Sequence, residues 1–353
     1  MNDRERMEAL LRREKPDRVP VWPLGYPGFA ALNAGYTIAD GYNNPKKAFD
    51  AQQWCCKQYG WVFTPNFLYG SLGAWEFGGE IKYPTGEFGQ APMITRYPVE
   101  TEEDGWNMKV PDFKKAGFVP LLVDFNKLAI QERLNNEQFY LEIFFGGPFF
   151  VAANICSVEK LCKWMIKKPE LAHHMLQLST NFFLSLAEYW KETLGVEGVL
   201  PFTAEPTASN QIISPNQFEK FVYPYIKELH EKILCLGYKH ILTHICGEQN
   251  ANLPFWGQVP MGDPGIISVG HEVDLLTVTE YFPKDIIMGN LDPAIIQTRT
   301  PQEIYESSRV VIEKGKNCQG GFAFSPGCEL PPKAPPFNVW MMTKAASDFG
   351  WYE

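Results

Sequence analysis

The sequence predicts an α/β fold of the (β/α)8 TIM-barrel type, and three observations carry that expectation. Short β-type runs alternate with amphipathic helical stretches from about residue 138 onward. Most of the runs are apolar throughout, as in parallel strands covered on both faces. Eight such runs can be counted, and a chain of 353 residues suits one closed barrel.

The first two candidates are "DRVPVWPLG" (17–25) and "GWVFTPNF" (60–67). They are followed by "FYLEIFFGG" (139–147), "GVEGVLPFTAEP" (195–206) and "YKHILTHICGE" (238–248). "PGIISVG" (264–270), "DIIMGNLDP" (285–293) and "GGFAFSPGC" (320–328) complete the set. Between them, 214–237 and 300–317 read as helices, each opening with Ser or Thr as N-cap and then Pro at the first helical position. No GxGxxG follows the first run, which leaves the doubly wound dinucleotide fold without support. Residues 70–137 break the repeat; "EIKYPTGEFGQAPMITRYPVE" reads as a hairpin around Gly86 and Gly89, followed by acidic, Pro-bearing loops. The whole chain, 1–353, is therefore expected to be one domain, with 70–137 an insertion covering one barrel mouth.

The totals exclude several function classes. A net charge of −9 without a basic cluster argues against nucleic-acid binding. The N-terminus is a charged amphipathic helix start without the apolar core of a secretion signal. The uncharged run Ile143 to Val158 carries Gly146, Gly147, Pro148 and Asn154 and is shorter than the roughly 20 residues of a membrane span. The expectation is a cytoplasmic protein, with eight scattered cysteines kept as thiols. Cys55, Cys56, Cys156, Cys162, Cys235 and Cys318 read as packing residues.

The unusual residues fall at the C-terminal ends of the strand candidates: Glu205, His244, Cys246, Asn290, Asp292 and Cys328. A barrel gathers those ends at one mouth, where active sites of this architecture are built. In "THICGEQ" (243–249), His244 and Cys246 are two apart, so both face the same side of a strand, about 6.5 Å apart. That spacing lets them share one ion, and Cys328 can supply a third ligand from across the mouth. Two thiolates and an imidazole suit Zn2+, one per chain, with a coordination position left open. The alternative is a hydrogen-bonded core histidine beside a small apolar thiol. His240 lies four strand residues earlier, roughly 13 Å toward the opposite end, and Cys318 precedes its strand. His173 and His174 read as solvated surface.

The chain also resembles a known superfamily across nearly its full length. "RERMEALLRREKPDRVPV", the "GGPF" turn, "SPNQFEKFVYPYIKEL", "GNLDP" and "SPGCELPPKAPPFNVWMM" resemble the uroporphyrinogen decarboxylase superfamily. Within it, "HICG" followed by a distant "GC" looks like the zinc-dependent, corrinoid-linked methyltransferase branch. The resemblance implies zinc on His244, Cys246 and Cys328, and a cobalamin-binding corrinoid protein as partner. No corrinoid-ligating DxHxxG occurs here, so the corrinoid would belong to that partner. The decarboxylase itself is cofactor-free, takes an octacarboxylate and carries an Arg-rich motif after its first strand. This chain has "WPLGYPGFAALNAG" there, without Arg, and buried carboxylates would go unpaired.

Two methyl transfers fit such a centre: from a methylated small molecule to a Co(I) corrinoid, or from a methylcorrinoid to a thiol such as coenzyme M. The 14% aromatic content suits a planar donor, and Glu205 in "FTAEP" can protonate a leaving phenoxide. The resemblance to O-demethylase components of anaerobic bacteria points the same way, toward a methoxylated aromatic donor. Asn290, Asp292 and His271, with Glu272 beside it, are candidate substrate contacts at the mouth, and Tyr26 is a further one after the first strand.

Overall fold

The structure is a computed structural model that describes residues 1–85, 89–133 and 139–353. β1 (Glu80–Lys82) and β2 (Met93–Arg96) pair antiparallel. The expected hairpin is thus present, although Gly86 lies outside the described residues. Six parallel strands follow: β3 (Leu141–Gly146), β4 (Val199–Ala204), β5 (Leu242–Ile245), β6 (Ile266–Val269), β7 (Ile286–Leu291) and β8 (Phe322–Pro326). They pair in chain order, and every residue in them is buried. Helices cover the outer face, which is why these strands are apolar without alternation.

The two N-terminal strand candidates are not regular strands. Pro20 and Pro23 interrupt the first and Pro65 the second. Proline has no N–H to give a ladder, so only scattered hydrogen bonds form. These bonds nevertheless run around the ring. Trp22 N donates to Phe324 O at 2.9 Å, and Phe324 N to Pro20 O at 2.9 Å. Val62 N donates to Val21 O at 3.0 Å, and Phe139 N to Phe63 O at 2.8 Å. The segments 17–25 and 60–67 thereby fill the interval between β8 and β3 that the predicted eight-fold barrel requires.

Two other expectations change in detail. The helix expected over 214–237 is two, Pro215–Phe221 and Tyr223–Cys235, because Pro224 cannot continue the first. Ser214 and Thr300 do cap their helices, each with a reciprocal Gln217 or Glu303 contact. The stretch 70–137 also ends in a helix, Val119–Arg133, that packs on β3 and on Pro45–Tyr59, with Phe125 stacked on Phe67. That helix belongs to the barrel's outer layer, so the departure from the repeat is shorter than expected. The hairpin residues Pro84, Thr85 and Gly89 share a cleft with Ile38 and Lys333, which lie in the connections leaving the first segment and β8. Among the described residues, no helix is long and apolar enough to cross a membrane.

Register decides which side chains look into the barrel. Thr203 bonds His230 on the outer helix Tyr223–Cys235, so its neighbours Phe202 and Ala204 face inward. Ala204 pairs with His244 and His244 with Ser268. These three positions form a row across β4, β5 and β6 at the C-terminal end.

A candidate metal centre at the barrel mouth

His244 is 5% exposed, and its Nδ1 shares a 3.0 Å hydrogen bond with Ser268 Oγ. Its other nitrogen, Nε2, is buried without a hydrogen-bond partner. A buried nitrogen left unsatisfied is costly unless something else occupies it. Cys246 Sγ and Cys328 Sγ stand 3.7 Å apart, and one ligand atom from each of the three residues lies within 4.8 Å of the others. Among the described residues, this is the one group of three or more His, Cys, Asp or Glu side chains so arranged.

Local backbone brings the third member in. Gly327 N donates to Leu291 O at 2.7 Å, tying the turn before Cys328 to the end of β7. A Cβ on Gly327 would sit 2.8 Å from His271 N and 3.4 Å from Asn290 O, so only glycine allows this approach. After Cys246 the chain turns away at Gly247, whose φ is +75°.

The two thiols are electrostatically unequal. The S–H of Cys246, donated to Cys328, holds Cys328 well below the usual thiol range. Cys246 is pushed up because it donates to Cys328 and is buried, with the Glu272 carboxylate adding to the effect. A divalent cation would displace the thiol protons on binding. Two soft sulfurs, one imidazole nitrogen with its lone pair free and a short mutual spacing fit zinc. Ser268 would act as the partner that fixes the His244 tautomer. Ser268→Ala is expected to weaken zinc affinity about 10- to 100-fold with the fold intact, measured by competition with a chromophoric chelator.

The other predicted site residues have separate surroundings. Glu205 is fully buried at the end of β4, where Oε1 and Oε2 accept from Phe149 N at 3.0 Å and Phe150 N at 2.8 Å. Those donors open the helix Pro148–Cys156, a favourable place for negative charge. Burial outweighs them and raises the Glu205 carboxyl from 4.5 to about 8. The folded state therefore binds this proton more tightly than the unfolded chain does. Its contribution to stability is present below pH 4.5 and lost as pH rises through about 8. The melting temperature of the metal-free protein should fall across that window, and less steeply in Glu205→Gln.

Asn290 donates to Gly270 O at 3.0 Å and Val273 O at 2.7 Å, so its amide holds the loop after β6. Asp292 caps the helix Pro293–Thr298 by accepting from Ala294 N at 2.8 Å. His271 is half-exposed, with Nδ1 3.4 Å from Glu272 Oε2 and 4.0 Å from Asp292 Oδ1. Tyr26 is core: it is 1% exposed, and its hydroxyl is 3.0 Å from Cys56 Sγ. His173 is not free surface either, since it stacks on Phe221 and bonds Tyr225.

Sequence reasoning passed over three residues. Ser268 is the one polar residue of "IISV", and a hydroxyl in a wholly buried strand was a usable signal. Glu142 gave the same signal in "LEIFFG". Glu329, next to Cys328, accepts from Tyr42 Oη at 2.5 Å and is raised to about 7, mainly by burial. Nothing in the sequence marked it.

Comparison with known proteins agrees with this architecture. The chain is 27% identical over 274 residues to the methylcobamide:CoM methyltransferase MtbA of Methanosarcina acetivorans, covering 77% of this chain and 76% of that protein. It is 22% identical to the uroporphyrinogen decarboxylase of Anaeromyxobacter dehalogenans, covering 98% and 99%. A solved methyltransferase from Methanosarcina mazei superposes with a TM-score of 0.80 over 99% of both chains at 21% identity, a likeness of fold. The uroporphyrinogen decarboxylase (URO-D) family model matches residues 2–349, and the chain belongs to that family.

Proposed function

We propose that this protein is a zinc-dependent methyltransferase working with a corrinoid protein. In this reading it takes a methyl group from a methoxylated aromatic and passes it to the partner's Co(I). The observation that carries the reading is the His244–Cys246–Cys328 group with its unpartnered imidazole nitrogen. The name of the MtbA relative supports the corrinoid connection. The eight cysteines, all unpaired, suit a reducing cytoplasm.

Zinc bound by those three residues would supply Lewis acidity toward the heteroatom that carries the methyl group. Ser268, bonded to Nδ1, would hold the His244 ring with Nε2 left to the metal. Glu205, protonated near neutral pH because it is buried, supplies the proton for the departing phenoxide. Its conjugate base is then held by the N–H groups of Phe149 and Phe150. A reduced corrinoid on the partner would supply the electron pair that takes up the methyl group, the ether oxygen would keep the bonding pair, and Glu205 would give that oxygen the proton of the phenol.

The rim charge favours this donor over an anionic one. Among the first five residues after each of β3 to β8 are the carboxylates Glu248, Glu272, Asp274 and Asp292, of which Asp274 pairs with Lys314, and no Lys or Arg. A sulfonate-bearing thiol such as coenzyme M, or a polycarboxylate porphyrin, would meet like charge there. Transfer to a thiol is the second reading, favoured by the names of the relatives. Mixing the zinc-loaded protein with reduced corrinoid protein and separate methoxyarene, methylamine and methylthiol donors decides between them. Growth of methyl-Co(III) absorbance with the methoxyarene is expected. Its absence there, with methyl-Co(III) consumed by a thiol, would establish the second reading.

A further inference from the structure

Glu142 sits in a strand whose other residues are all apolar or Gly, is 1% exposed, and has no hydrogen-bond partner on either carboxyl oxygen. A carboxyl buried in this way is strongly unfavourable in either protonation state unless a ligand satisfies it. It is not alone. Thr64 Oγ1 and Asn66 Oδ1 are also buried without partners, and Glu142 N donates to the intervening Pro65 O at 3.2 Å.

Register turns Glu142 toward the barrel interior. Phe144 pairs with the inward-facing Phe202, and Glu142 with Leu200 two positions earlier, so Glu142 shares the face that carries His244. On the neighbouring segment, Phe63 packs on Phe49 and Phe67 stacks on Phe125, both outer-helix residues. Thr64 and Asn66 stand on either side of Pro65, whose carbonyl accepts from Glu142 N. In such barrels an inward layer is drawn from alternate strands, and β3 and β5 are alternate. Glu142 lies toward the N-terminal end of β3, deeper than the rim where His244 stands. Above it, the Phe144 ring meets Phe202 at 5.5 Å and also contacts Phe150 and Phe183, so the groups over Glu142 are aromatic.

We infer that Glu142, flanked by Thr64 and Asn66, forms the floor of the donor pocket and accepts a hydrogen bond from a hydroxyl on the methyl donor. This rests on the methoxylated-aromatic reading and narrows it to methoxyphenols, with the methyl group toward the metal ligands and the free hydroxyl inward. Glu142 is a specificity residue here and takes no part in breaking the methyl–oxygen bond.

The test is calorimetric binding of 2-methoxyphenol and 1,2-dimethoxybenzene to the zinc-loaded protein. The wild type should prefer the hydroxyl-bearing ligand by about 10- to 100-fold. Glu142→Gln, which keeps an acceptor oxygen, should retain most of that preference. Glu142→Leu should bring the two ligands to near parity while melting at a higher temperature, since an unpaired buried carboxyl has been removed. A preference unchanged in Glu142→Leu, or absent in the wild type although both ligands bind, would overturn the role of Glu142 and leave the donor class standing. If neither arene binds while a methylated amine or thiol does, the donor class fails and this assignment fails with it.

Discussion

Cys246→Ala and Cys328→Ala are each expected to drop bound zinc from about one ion per chain to near none, with the fold retained. The reason is ligand arithmetic. Each variant leaves His244 and one thiolate, a pair that cannot complete the three-ligand catalytic arrangement typical of zinc enzymes. Neither sulfur is in the fully buried core; both belong to partly exposed loop positions after β5 and β8. Truncation there opens little cavity, so the far-ultraviolet circular dichroism should match the wild type. Elemental analysis of purified protein gives the metal count. Full zinc in both variants would show that the metal sits elsewhere.

Glu205→Gln should lower the rate of aryl-ether demethylation by about 10²- to 10⁴-fold, the usual worth of a placed acid. Zinc content should not change, because Glu205 is outside the three-residue cluster. Gln keeps the size of the side chain but has no acidic proton to give. It also places an amide against the N–H groups of Phe149 and Phe150, so a modest loss of stability should accompany the rate loss. A phenol leaving group with a lower pKa needs less protonation. Electron-poor methoxyarenes should therefore suffer less from the substitution, which a general loss of stability would not produce. Unchanged turnover on all donors would leave Glu205 as a helix-capping residue only.

Much of the barrel was readable because burial on both strand faces leaves a direct trace. β3 to β8 are apolar runs, and each was found within the expected bounds. The segments 17–25 and 60–67 have the same apolar composition, but hydrogen-bond geometry depends on where prolines fall, and Pro20, Pro23 and Pro65 remove the donors that a regular strand needs. The helix Val119–Arg133 escaped notice because its apolar residues follow a broad face and it comes after an irregular stretch.

The site was partly legible for a related reason. His244, Cys246 and Cys328 are chemically conspicuous and stand at strand ends, where topology alone brings them together. Tyr26 is equally close to a strand end, yet its hydroxyl turns to Cys56 on an outer helix, a choice of rotamer and packing that spacing does not encode. Asn290 and Asp292 occupy the rim, but their polar atoms are engaged in holding the connections after β6 and β7. Glu142 and Ser268 were visible as polar residues in buried strands. What the sequence lacks is the hydrogen-bond count, which shows one satisfied by a ligand-orienting bond and the other satisfied by nothing.

X-ray absorption at the zinc edge of the loaded wild-type protein probes the centre itself. The expected first shell holds two sulfurs at about 2.3 Å and one imidazole nitrogen at about 2.0–2.1 Å, with at least one further light atom. A shell of oxygen and nitrogen alone, without sulfur, would contradict the assignment of His244, Cys246 and Cys328 as one metal centre.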